Sequence, residues 1–183
     1  MSVEPEWGIP CHFRLKGFRM GRCIVIAVLI TYLLAVVQST LSGSMEIWGV
    51  SPDLVFVWAV CVGLLSGPQA GALAGLGGGL VEGALAQKLM AAFALSKLIS
   101  GFAAGLLATK MFKEHWLVLV LAGGLLGLLN EVVFLVASWG WGWRQAGHLI
   151  EMRVIYHAVL TPIGFALSSR ARRALMGQPV EGG

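Results

Sequence analysis

The sequence predicts an all-α integral membrane protein, a six-helix transmembrane bundle. Three observations carry the prediction. Of 183 residues, 57% are hydrophobic and only 12% charged, with a mean hydropathy of +0.82, against roughly 25% charged residues in an ordinary soluble domain. The apolar residues gather into runs near the ~20 residues that cross a ~30 Å hydrocarbon core. Glycine contributes 25 residues, many of them at four-residue spacing. A soluble chain this short must cover its surface with charge, and this one cannot. The composition excludes a globular enzyme in water, a disordered tail and a disulfide scaffold.

The expected spans are 23–42, 52–66, 69–87, 90–109, 115–138 and 153–169, the second short and extensible back to Ile47. They divide the chain into a basic segment 1–22, a transmembrane domain 23–169 and a tail 170–183. No soluble domain fits in what remains, so function must lie in the bundle and its turns. The first span is longer than the 7–15 residues of a signal-peptide core, and reads as an uncleaved helix although Ser42, Gly43 and Ser44 follow it.

Basic residues set the orientation. With the N-terminus inside, Arg14, Lys16, Arg19, Arg22, Lys110, Lys113, Arg170, Arg172 and Arg173 are cytoplasmic, while Lys88, Arg144 and Arg153 are outside. The excess inside favours two cytoplasmic termini and an even number of spans. The net charge of +4 is thus topogenic and not a nucleic-acid footprint. The basic segment 1–22, with Trp7, Phe13 and Phe18, either lies on anionic membrane lipid or is disordered. Trp139, Trp141 and Trp143 at the outer end of the fifth span read as an interfacial belt, with a partner contact as the alternative.

Gly67, Gly71, Gly75, Gly79 and Gly83 recur every four residues, a step that follows one slowly drifting helix face. Gly101 and Gly105 form a shorter run, as do Gly123 and Gly127. Smooth faces let helix backbones approach closely where lipid provides no hydrophobic drive. The groove is filled either by a neighbouring helix of this chain or by a partner's transmembrane helix.

Glu82, Lys97 and Glu131 lie inside apolar spans, each costing about 2.5–3.5 kcal/mol on insertion scales. Rise per residue places Glu82 about 6–8 Å, and Lys97 and Glu131 about 10 Å, below the outer surface. Arg153 and His157 open the sixth span from the same side. Internal neutralisation, with Lys97 paired to Glu82 or Glu131, is one reading of this cluster; a ligand cavity or proton path is the other.

Catalytic patterns are absent. Ser96 and Lys97 are adjacent on a helix and point about 100° apart, so neither activates the other. The sequence holds no GxSxG, HExxH or phosphate-cradling glycine loop. His12, His115, His148 and His157 are scattered, and Cys11, Cys23 and Cys61 form no metal-ligand spacing. No enzymatic activity, cofactor or metal is expected.

Four strings, taken in order, resemble the rod shape-determining protein MreD family. They are Gln38-Ser39-Thr40-Leu41, Gly49-Val50-Ser51-Pro52-Asp53-Leu54, the glycine-spaced run from Gly67 to Glu82, and Ala94-Leu95-Ser96-Lys97-Leu98-Ile99-Ser100-Gly101-Phe102-Ala103-Ala104-Gly105. The resemblance covers residues 30–110, and the remainder through length and span count. Two positions depart from the family pattern: Glu82 stands where Asp is usual, and the turn between the third and fourth spans is Ala86-Gln87-Lys88-Leu89-Met90 where the family is glycine-rich.

The resemblance implies a non-catalytic subunit of the bacterial cell-elongation machinery in the inner membrane. Its implied partner is the bitopic protein MreC, through which the complex connects to MreB filaments, to the RodA glycosyltransferase and to its transpeptidase. The family also resembles, in architecture, the substrate-binding subunits of energy-coupling-factor transporters. A vitamin-binding transporter subunit is therefore the rival, and it would need a solute pocket in the outer half. Such subunits commonly carry a close alanine contact in the first helix, and here Ala27 and Ala35 are eight apart with Thr31 between them.

Overall fold

The computed structural model describes residues 29–40, 52–87, 89–110, 116–138 and 143–176, with side chains left out at 109–110, 143–149 and 172–176. Every regular element among them is helical: α1 (Leu29–Thr40), α2 (Leu54–Ser66), α3 (Pro68–Ala86), α4 (Met90–Lys110), α5 (Trp116–Ala137) and α6 (Trp143–Met176). Three stretches are long and apolar enough to cross a membrane, Met90–Ala108, Trp116–Ala137 and Ile150–Ala171. This is the architecture of a helical membrane protein.

Helix α2 is the hub. Its sequence LVFVWAVCVGLLS is apolar on every side, and a helix hydrophobic all round is a buried one. Accordingly Val55, Phe56, Val57, Ala59, Val60, Cys61 and Leu64 are buried, and α2 touches α3, α4, α5 and α6. Helix α1 joins it through Trp58 Nε1, which donates to Thr31 Oγ1 at 3.1 Å. The bulky residues left exposed form the bundle's outer faces: Leu117, Leu121, Leu125 and Val136 on α5, and Ile155, Val159, Ile163 and Leu167 on α6. Apolar residues outside and polar ones inside suit a hydrocarbon solvent.

The glycine stripe of α3 is filled from within the chain. A Cβ at Gly71 would meet the Gly101 carbonyl, at Gly75 the Lys97 carbonyl, at Gly79 the Phe93 carbonyl, and at Gly83 the Met90 backbone. Gly101 and Gly105 return the contact against Gly71 and Pro68. The α3–α4 seam is thus backbone against backbone, as small residues permit. Gly123 and Gly127 of α5 instead make room for side chains of α6, those of Thr161 and His157. Gly67 stands at the end of the seam: at φ 96° it forms the turn between α2 and α3, a Cβ of its own would meet nothing, and its backbone lies against Gly105.

Two boundaries differ from the hydropathy reading. Helix α6 begins at Trp143, ten residues before the expected span, and continues to Met176 through part of the tail. Its first turns carry Arg144, Gln145, His148 and Glu151, too polar to register as a span but ordinary helix formers. Helix α1 is described only from Leu29, so the expected span's residues 23–28 and 41–42 lie outside the described residues, as do segment 1–22, Cys11, Cys23, Trp139 and Trp141. Between α3 and α4 the chain turns through Gln87 (φ 53°) and Leu89 (φ 51°). Both occupy the left-handed region that glycine favours, at the turn where this sequence departs from the glycine-rich pattern.

Candidate functional site: a buried charge cluster

The site is assembled around the N-terminus of α2. With 13 residues, α2 spans about 20 Å at 1.5 Å per residue, less than the ~30 Å hydrocarbon core. In a bilayer its free amide groups would face lipid depth without water, so each needs a partner. Asp53 supplies the N-cap, its Oδ1 accepting from Phe56 N at 2.8 Å. Its own carbonyl accepts from Val57 N. Gln38 of α1 completes the set, Oε1 accepting from Leu54 N at 2.7 Å and from Val55 N at 3.2 Å. One glutamine therefore fastens α1 to the start of α2.

The other end of that amide faces α3: Gln38 Nε2 donates to Glu82 Oε1 at 3.0 Å. From α4, Lys97 Nζ lies 2.8 Å from Asp53 Oδ2 and 2.7 Å from Glu82 Oε2. The lysine is 1% exposed while the two acids keep 18% and 16%. Its ammonium sits 5.2 Å from the centre of the Phe93 ring, which in turn packs on Phe134 of α5 at 4.9 Å. Four helices thus meet at one polar knot, made of Gln38, Asp53, Glu82 and Lys97.

A second pair lies on the α5–α6 side. Arg153 Nη1 reaches Glu131 Oε2 at 3.4 Å. His157, 1% exposed, stacks on Phe56 with ring centres 4.2 Å apart. Its Nδ1 and the buried Asn130 Oδ1 have no hydrogen-bond partner among the described residues. The groups share one electrostatic neighbourhood, since Glu131 senses Asp53 and Lys97, and His157 senses Asp53, Lys97 and Arg153.

The structure sorts the expected site residues accordingly. It joins Lys97 to Glu82, one of the two acids expected for it, and joins Glu131 to Arg153 and not to Lys97. Among the described residues His157 joins no ion pair, and it serves as an aromatic face beside Gly127. Sequence reasoning missed Asp53 and Gln38 as site residues. Pro52-Asp53 ahead of an apolar run is an N-cap signature, and it was the signal available for Asp53. A glutamine on a helix gives no comparable sign. Ser96 is fully buried, and its hydroxyl donates to the Phe93 carbonyl at 3.2 Å, away from any dyad with Lys97. No trio of His, Cys, Asp or Glu able to hold a metal occurs among the described residues.

Chemically, the cluster neutralises and fastens. Two carboxyl groups on one ammonium, with every first-turn amide of α2 satisfied, hold α1, α2, α3 and α4 in register. Gln38→Ala removes three hydrogen bonds and leaves two buried amides of α2 bare, a cost of about 1–3 kcal/mol for each unsatisfied group. The expected outcome is a lower unfolding midpoint in mild detergent. Gln38→Glu, which keeps the acceptor toward Leu54 N and Val55 N but loses the N–H donor to Glu82, should recover only part of the loss.

No family model, curated protein or solved structure matches the chain.

Proposed function

We propose that the chain is a non-catalytic scaffold of the bacterial rod or elongation complex, a six-span inner-membrane protein of the MreD type with both termini in the cytoplasm. It binds an MreC-like bitopic protein and so helps link MreB filaments to a RodA-type glycosyltransferase and its transpeptidase. One observation carries the reading. Each of the four strings that resemble the MreD family contributes one residue to the same knot: Gln38, Asp53, Glu82 and Lys97. Strings scattered over about sixty positions become a single structural feature. An arrangement that fixes four helices in register suits a scaffold, whose output is a shape offered to partners.

Because the α3–α4 glycine seam is occupied by the chain itself, the partner contact belongs on the outward faces of the bundle and not in that groove. A second reading, the substrate-binding subunit of a vitamin-type energy-coupling-factor transporter, draws on the unpartnered Asn130 Oδ1 and His157 Nδ1. A mild-detergent pull-down of the tagged full-length chain from its native membrane separates the two. Recovery of a bitopic MreC-like protein with cell-wall synthases is the expected outcome. Recovery of paired ATPases with a large membrane coupling subunit overturns it in favour of the transporter.

A further inference from the structure

Among the described residues of the cluster, three carboxyl groups (Asp53, Glu82 and Glu131) face two cations (Lys97 and Arg153). An unbalanced charge in a low-dielectric interior is expensive, and carboxyls that share one site cannot all ionise freely. The three acids are not equally provided for. Asp53 has Lys97 and, at the positive end of α2, the Phe56 amide. Glu131 has Arg153. Glu82 shares Lys97 with Asp53, and among the described residues its other partner is the neutral Gln38 amide.

Two further features single out Glu82. Its Oε2 lies beside the ammonium but makes no well-aligned hydrogen bond, while Oε1 accepts from Gln38 as the carbonyl of a neutral acid would. It is also 16% exposed where Lys97 is 1% exposed, so a proton can reach the acid when it cannot reach the lysine.

We propose that Glu82 is a proton-binding site that neutralises the cluster: its carboxylate takes one proton from the water phase to become a carboxylic acid, and releases it to the same phase. Asp53 Oδ2 touches the same ammonium, so a carboxylate stays close to the protonated acid. The groups around the proton are Gln38 from α1, Asp53 from α2, Lys97 from α4, Arg153 and His157 from α6, and Glu131 from α5. Protonation leaves Asp53–Lys97 and Glu131–Arg153 as two balanced pairs. The proposal does not depend on the scaffold reading.

Infrared spectroscopy of the purified full-length protein in lipid nanodiscs tests it, because a carboxylic acid has a carbonyl stretch that a carboxylate lacks. At neutral pH, where solvated carboxyls are ionised, the wild type should show one such band, lost on raising the pH. Carbon-13 labelling of glutamate should shift it. Glu82→Gln should abolish it. Asp53→Asn should also remove it, by giving Lys97 to Glu82 alone. No band in the wild type, a band unmoved by glutamate labelling, or a band that survives Glu82→Gln overturns the proposal. The labelling result needs no variant to fold.

Discussion

Lys97→Met will lose about 3–5 kcal/mol of stability, the range for removing one partner of a buried ion pair. Methionine fills nearly the same volume, so the change leaves the packing in place and takes away only the charge. Above the pH at which Glu82 gives up its proton, Asp53 and Glu82 then face one another across the α2–α3 junction with no cation between them. Their residual exposure lets water reach them in part, which holds the loss within that range. The physical content lies in the rescue. Adding Glu82→Gln to Lys97→Met removes one of the two stranded charges while Gln38 keeps an acceptor on α3, so a substantial part of the loss returns. Adding Asp53→Asn returns a comparable part, because it too removes one stranded charge and its amide oxygen still accepts from Phe56 N at the start of α2. Glu131→Gln rescues nothing and strands Arg153. Unfolding midpoints of the single and double variants in one mild detergent, taken above that pH, measure the set. A Lys97→Met protein as stable as wild type, or rescue by Glu131→Gln in place of Glu82→Gln, would sink the assignment of partners.

Helicity and membrane character were legible because both follow from local composition. The runs of apolar residues that give α4 and α5 are long enough to be read residue by residue, and their bounds match the spans within a residue or two at most ends. Where polarity and helicity part company, the reading failed. The first turns of α6 are polar helix, and a hydropathy count starts only where the lipid-compatible part begins. Charges within spans were likewise visible one at a time, because a lysine at position 97 of an apolar run announces itself. Which acid it meets depends on how helices distant in the chain rotate against each other. Glu82 and Glu131 looked equivalent by depth; helix packing turns one to Lys97 and the other to Arg153. Gln38 was the hardest to see. It acts through two ends of one amide, on α2 and α3 together, and nothing within its own helix betrays that.

The seam and the charge cluster meet at one residue, and Gly75→Leu exposes the connection. A side chain at Gly75 would run into the carbonyl of Lys97 itself. Backbone cannot swing aside as a flexible side chain does, so α3 and α4 must separate by several ångströms or α3 must rotate. Overpacking of a close-packed interior costs about 1–3 kcal/mol, and a backbone contact belongs at or above the top of that range. Separation also draws Glu82, two turns further along α3, away from the ammonium it touches at 2.7 Å. Gly75→Leu therefore disturbs the cluster as well as the seam. Gly77→Leu, two positions away on the same helix, is the control: a Cβ there meets nothing within 4 Å, and leucine is the better helix former. Its expected stability is that of the wild type or slightly above. The loss in Gly75→Leu combined with Lys97→Met should be smaller than the two single losses added, because the first substitution has already loosened what the second removes. Strict additivity would mean that the glycine stripe and the buried lysine hold the bundle independently. Wild-type stability for Gly75→Leu would mean that α3 and α4 do not pack backbone to backbone at all.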